Sequence, residues 1–174
     1  MIHEGDRVLV CVSGGKDSLT MLHLMGYFQD MAAHIKPELH FTIGAATIDP
    51  QEPSFHPQPL QEYMKSLGVP YRLESTPVME CATRVKPVSL CAFCSRVKRG
   101  TLYSVARDMG YNVLALGQHL DDAAESFFMS MFRNGFMRTM KANYTVEKGD
   151  LRVIRPLMFV AIATIASAAA VATA

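Results

Sequence analysis

Cys11-Val12-Ser13-Gly14-Gly15-Lys16-Asp17-Ser18 follows the apolar run of residues 7–12 and precedes a helical pattern over 18–31, where Leu19, Leu22, Met25, Tyr27 and Phe28 form a stripe. A β-branched strand, a tight glycine turn and then a helix is the opening of a parallel-sheet unit, and such a sheet presents its ligand crevice at this exit. Gly14 and Gly15 permit positive φ and let backbone N–H groups come close to an oxyanion, and the following helix N-terminus adds partial positive charge. Ser13 and Ser18 offer hydroxyl donors and Lys16 a full cation, so phosphate is the natural guest. The stretch departs from G-x-x-x-x-G-K-[ST], because Cys11 stands four residues before Gly15 and Asp17 follows the lysine. Asp17 beside phosphates points to Mg²⁺ or to an internal capping role.

The rest of the chain repeats the alternation. Strands are expected at 40–48, 70–75, 112–116 and 151–156, with helices near 60–67, 94–109 and 121–133. These give an α/β fold: a parallel five-stranded sheet with helices on both faces. Residues 76–93, with Pro77, Pro87, Cys81 and Cys91, read as a long connection, a kind that is usually functional.

Two further constellations carry chemistry. Leu116-Gly117-Gln118-His119-Leu120-Asp121-Asp122 ends the fourth strand at the same sheet edge. Its carboxylates can hold Mg²⁺ against phosphates and its histidine can donate to an oxyanion or move a proton; the same aspartates equally read as helix caps. Cys91-Ala92-Phe93-Cys94 is followed by Arg96, Lys98 and Arg99. Two thiols fall short of a structural zinc site, whereas a redox disulfide or a persulfide carrier needs only two.

Composition adds less. The 174 residues suit one domain, and the net charge of +1 hides an asymmetry: residues 1–80 carry five Lys/Arg against ten Asp/Glu, and 81–174 carry twelve against six. Six Lys/Arg without an acid lie in 84–107, and six against two acids in 133–155, with Phe136 and Tyr144 interleaved, a pattern able to track an RNA backbone and stack a base. The N-terminus has no secretory pattern and the cysteines no secreted framework, so a cytoplasmic setting is expected. Residues 157–174 lack charge, but Ala, Ser and Thr transfer poorly into lipid; an Ala-rich helix, not a membrane span, is expected.

Together, SGGKDS, CAFCSRVKRG, LGQHLDDAAES and VIRPL resemble the tRNA 2-thiocytidine synthetase (TtcA-like) group of PP-loop ATP pyrophosphatases, over roughly residues 4–160. The resemblance implies an adenine nucleotide alpha hydrolase-like fold of the PP-loop type, with 1–160 as the ATP-binding domain. It implies that ATP adenylates the C2 oxygen of an anticodon-loop cytidine, position 32 of tRNA, and that sulfur then displaces AMP. By it, Ser13, Gly14, Gly15, Lys16, Asp17, Ser18, Asp49, Gly117 and His119 bind the nucleotide, although an Asp-Pro turn also explains Asp49. Cys91, Cys94, Lys98 and Asp122 match catalytic positions, Cys91 and Cys94 match the first ligands of a [4Fe-4S] cluster, and Asp121 and Asp122 are candidates for Mg²⁺. The implied partners are tRNA, a sulfur donor (a cysteine desulfurase or free sulfide) and a second copy in a homodimer. One departure stands out: the family's third ligand cysteine lies beyond the RPL segment, and no Cys follows Cys94. The alanine-heavy residues 161–174 therefore read as a tail whose side chains were not identified; an intact mass of 19.2 kDa would defeat that reading. The rival readings are a PP-loop synthetase with a nitrogen nucleophile and a tRNA- or Fe–S-binding module without catalysis.

Overall fold

A computed structural model describes residues 1–85 and 89–172. Six strands, β1 (Arg7–Cys11), β2 (Thr42–Asp49), β3 (Tyr71–Ser75), β4 (Val113–Ala115), β5 (Asn143–Thr145) and β6 (Arg152–Ile154), form one sheet in the order β3-β2-β1-β4-β6-β5. The helices are α1 (Lys16–Ile35), α2 (Gln58–Ser66), α3 (Val78–Val85), α4 (Leu90–Asp108), α5 (Leu120–Asn134) and α6 (Ile162–Ala172). All five expected strands are present and pair in parallel; β5 is a sixth, antiparallel to β6. Its three residues, Asn-Tyr-Thr, are too few and too polar to leave a periodic signal.

Strand alternation divides the core into two layers. Val8, Val10 and Val12 point with Ala45, Val113, Ala115 and Ile154 into a layer closed by Met21, Leu22 and Met25 of α1, Leu60 and Met64 of α2 and Ile165 of α6. Leu9, Ala46, Leu114 and Val153 face the other way, onto Val105 and Ala106 of α4. Burial on both faces explains why β1 and β4 read as unbroken apolar runs. β1 lies between β2 and β4, so the chain leaves β1 toward one side and returns on the other, which opens a crevice at the carboxyl ends of β1 and β4.

The expected connection at 76–93 is corrected by two helices. α3 occupies part of it, with Val78 and Ala82 buried, and α4 begins at Leu90 because the Ser89 hydroxyl accepts the Ala92 N–H across 3.4 Å. Cys91 therefore stands in the first turn of α4 and not in a loop, and Lys86 and Pro87 lie outside the described residues. Among the described residues no helix is long and apolar enough to cross a membrane.

Candidate nucleotide and thiol site

The turn after β1 is built as an anion cradle. Val12 N–H donates to the Ala46 carbonyl at 2.9 Å and the Thr47 hydroxyl to the Val12 carbonyl at 2.7 Å, which pins the strand's last residue before the glycines. Gly14 turns the chain at φ +87, a conformation that any side chain would strain. Ser18, which is buried, closes the loop: its Oγ accepts the Ser13 N–H at 3.1 Å and donates to the Gly15 carbonyl at 2.9 Å. The Ser18 hydroxyl is thus committed to the loop's shape, and the phosphate donor expected there falls to Ser13, which is exposed. No side chain caps the N-terminus of α1, so its first-turn amides remain available to an anion. Lys16 is exposed and its ammonium lies 2.9 Å from Oδ1 of Asp17, a pairing that an incoming phosphate would compete for.

The second motif abuts this cradle. Gly117 leaves β4 against the first turn of α1, where an added Cβ would stand 3.2 Å from the Ser18 Cα and 3.3 Å from its nitrogen. Its requirement is close backbone packing, which places the two motifs edge to edge. His119 is buried and is the N-cap of α5: its Nδ1 accepts the Asp122 N–H at 3.4 Å, and Asp122 Oδ2 accepts the His119 N–H at 3.0 Å. Asp121 Oδ2 accepts the N–H of Ile162 at 2.7 Å and so caps α6. The capping reading of these aspartates is realised, and the Nδ1 of the histidine is engaged in a cap. Gln118 is held by Arg155, whose Nε donates to Gln118 Oε1 across 2.8 Å. The guanidinium of Arg155 lies over the Tyr144 ring, and the Tyr144 hydroxyl meets that of Tyr103 on α4 at 3.1 Å. This chain of contacts ties the Gln118–Asp122 turn to the cysteine helix. Sequence reasoning gave no role to Gln118 or Tyr103, and one face of the Tyr144 ring, read there as able to stack a base, is taken by the Arg155 guanidinium. Burial and the Tyr144 hydroxyl push the Tyr103 phenol up to about 12.

Between the cradle and α4 lies a cleft of about 330 Å³, lined by Cys11, Val12 and Ser13 of the β1 exit, Ala46, Ile48 and Pro50 of β2 and its exit, Glu52, Ser54 and Phe55 of the following loop, and Lys98 and Leu102 of α4. Asp49 is not among these. Its Oδ1 accepts the N–H of Gln51, a residue at φ 57, so it shapes the turn that brings Pro50 to the cleft. Cys11 forms part of the floor, where burial pushes its thiol far up and keeps it protonated.

Helical spacing carries the cleft to the thiols. Cys91, Cys94, Lys98, Leu102 and Val105 recur every three or four residues and so share one side of α4. Val105 is buried in the core, Leu102 and Lys98 line the cleft, Cys94 is half-buried and Cys91 exposed, both as free thiols. The stripe runs from core to solvent and passes the cradle on the way. Arg96 and Arg99 are exposed beside it. Of the basic residues in 133–155, Arg152 pairs with the buried Asp6 and Arg155 is itself buried, which leaves Arg133, Arg138, Lys141 and Lys148 on the surface. Among the described residues no three His, Cys, Asp or Glu side chains are grouped to hold a metal ion.

A model of the PP-loop domain matches residues 3–173. The chain is 41% identical over 162 residues to the tRNA-cytidine(32) 2-sulfurtransferase of Polaromonas naphthalenivorans, covering 92% of this chain and 50% of the relative. It is 40% identical over 161 residues to the enzyme of that name from Chromobacterium violaceum, covering 91% and 49%. The chain thus spans about half the length of these curated relatives. The U34-tRNA thiolase NcsA from Methanococcus maripaludis, solved with its [4Fe-4S] cluster, shares the fold at a TM-score of 0.77 and 18% identity, over 99% of this chain and 58% of that one. With the glycine cradle, the adjoining second motif and the sheet order in place, the chain belongs to the PP-loop domain family.

Proposed function

We propose that this chain provides the nucleotide cradle and the first thiol pair of an ATP-dependent tRNA sulfurtransferase acting on a cytidine at position 32. The observation that carries the reading is the cleft in which Ser13, at the mouth of the cradle, and Lys98, one turn from Cys94, line the same space. Curated relatives at about 40% identity bear the name of that activity.

In this reading the cradle amides, Ser13 and Lys16 hold the β- and γ-phosphates of ATP, and the α-phosphorus faces the cleft. The C2 oxygen of cytidine attacks that phosphorus and pyrophosphate leaves into the cradle. A sulfur nucleophile then adds at C2, the C–O bond breaks, and AMP departs with the oxygen. Lys98 supplies a cation to the charge that develops on the oxygen and phosphate as the base is activated. Arg96 and Arg99, exposed beside it, suit a phosphate backbone.

Asp121 and Asp122, the carboxylates expected to hold Mg²⁺ and neutralise phosphate charge, each spend one oxygen on a helix cap and neither lines the cleft, so no step is drawn through the ion. A [4Fe-4S] cluster does not fit the described residues alone: Cys91 and Cys94 give two ligands and no third joins them. No step is therefore drawn through a cluster, and Cys91 and Cys94 act here as the thiols that face the activated base.

The reading is tested by nucleoside mass spectrometry of tRNA incubated with the protein, ATP and sulfide, with calorimetric titration of ATP in parallel. Thiolated cytidine is expected with the native chain and its loss with Cys91→Ala, while ATP binding persists in both. Failure of ATP to bind overturns the cradle assignment, full thiolation by Cys91→Ala removes Cys91 from the sulfur chemistry, and release of AMP and pyrophosphate with tRNA but without thiolated cytidine favours a nitrogen nucleophile.

A further inference from the structure

The side-chain amide of Gln118 has a fixed orientation. Arg155 is buried and its guanidinium can only donate: its Nε meets Gln118 Oε1 at 2.8 Å, while another of its nitrogens bonds the Lys141 carbonyl and its plane lies over the Tyr144 ring. The amide oxygen is therefore turned toward Arg155. The NH₂ group, which has no partner among the described residues, is the end left free. Gln118 lines a groove of about 600 Å³. Because β1 stands between β2 and β4, this groove opens on the β4 side of the cradle and the cleft on its β2 side. Gly117 packs on Ser18 and Gln118 is the next residue, so the groove begins at the cradle's edge. Farther out, in the second turn of α5, Glu125 lines the same groove; it is exposed and makes no ion pair among the described residues.

We propose that this groove reads the base to be modified along its pairing edge, and that Gln118 and Glu125 select cytosine over uracil. The assignment rests on the reading that a cytidine of tRNA is the substrate, and it adds what selects that base. Cytosine presents three groups in line: the 2-oxygen, the N3 acceptor and the N4 amino donor. From the cradle outward the groove offers groups in the matching order. The reacting oxygen lies toward the phosphate site, the Gln118 NH₂ donates to N3, and the Glu125 carboxylate accepts from the amino group.

Uracil keeps the 2-oxygen but carries N3–H and a 4-oxygen. Donor then faces donor at Gln118 and carboxylate faces carbonyl at Glu125, and groups left unpaired in this way are costly. Guanine is rejected on the same grounds. Adenine matches both contacts but has C–H where cytosine has the reacting oxygen, so it has nothing to adenylate. The remaining lining suits a splayed nucleotide: Met129 and Met140 offer polarisable surface to a ring face, and the exposed Arg133 offers a cation to the RNA backbone. Arg155 acts through Gln118 as a positioning residue, since it decides which end of the amide the base meets.

Fluorescence anisotropy tests the proposal with the intact chain and labelled anticodon stem-loop RNAs that differ only in cytidine or uridine at position 32. ATP and sulfide are left out, so thiolation plays no part. The native chain should bind the cytidine RNA at least about fivefold more tightly. Gln118→Glu keeps an oxygen for Arg155 and turns the free end into an acceptor, and Glu125→Gln supplies donors in place of the carboxylate. The double exchange should reverse the preference to uridine with far-UV circular dichroism unchanged, an outcome that a merely structural role would not produce. Equal affinity for the two RNAs, binding to neither, or a cytidine preference that survives the double exchange overturns the proposal. A preference that the double exchange reverses, in a protein that forms no thiolated cytidine, upholds the groove and overturns the sulfur chemistry alone.

Discussion

Gly117 and Ser18 meet backbone to backbone, so closely that the first atom of any side chain on Gly117 would press within 3.2 Å of the Ser18 Cα. Neither partner is a flexible side-chain tip, so Gly117→Ala must displace the exit of β4 or the first turn of α1. A cost of about 1–3 kcal/mol is expected, lowering the melting temperature by about 3–10 °C. Calorimetry checks the value. An unchanged melting temperature would show that the two motifs are not in backbone contact.

Ser18→Ala removes the acceptor of the Ser13 N–H and frees the Gly15 carbonyl, both inside the loop. The expected loss is about 1–3 kcal/mol of stability. ATP affinity should fall by tenfold or more, because the cradle amides are no longer held in one geometry. Ser13→Ala, which removes an exposed hydroxyl, should leave stability within about 0.5 kcal/mol. Titration of ATP into both variants distinguishes a structural hydroxyl from a ligand donor.

Alkylation should follow exposure along α4. Cys91 is exposed, Cys94 half-buried, and Cys11 lies in the cleft floor with its thiol driven upward by burial. Brief treatment with iodoacetamide near pH 8 should label Cys91 first, Cys94 next and Cys11 last, since the thiolate is the nucleophile. Peptide mass spectrometry reads the order. Early labelling of Cys11 would contradict its placement under the cradle.

The Tyr103 phenol gives the stability a high-pH signature. Its ordinary value is 10.0 and the fold raises it to about 12, so the native state holds the proton more tightly than the unfolded chain. That contribution is whole below about pH 10 and is lost as pH rises toward about 12. Urea melts at pH 9 and pH 11 should therefore differ more for the native chain than for Tyr103→Phe. Equal differences in the two proteins would remove Tyr103 from the link between α4 and Arg155.

Much of this was legible in the residues. β1 and β4 announce themselves because burial on two faces forces continuous apolar runs, and the turn after β1 announces itself because few sequences put Ser-Gly-Gly-Lys-Asp-Ser there. Roles within the motifs were harder to read. Ser18, Asp49, Gly117, His119 and Asp121 are polar or small residues at a ligand edge, and letters alone do not separate a group that touches phosphate from one that holds the loop in shape. The geometry gives each of them a structural duty. The Arg155–Gln118 and Tyr103–Tyr144 contacts join residues 37 and 41 positions apart, and no local period encodes such pairs. α3 was hidden for a different reason: Pro77 and Pro87 near its ends suggested irregular chain, although the eight residues of the helix itself are strongly two-sided.

All the buried side chains of α4 lie in its last turns, at Val105 and Ala106, while its thiols sit near the opposite end. That root is its firmest hold, with α3 and the edge of β2 bracing the arm. At about 1.5 Å per residue the arm from Val105 to Cys91 is about 21 Å, so a tilt of 5° at the root swings the sulfur through about 2 Å. Small volume changes beneath Val105 should therefore register as large displacements at the tip, and a mutation deep in the sheet can detune chemistry it never touches.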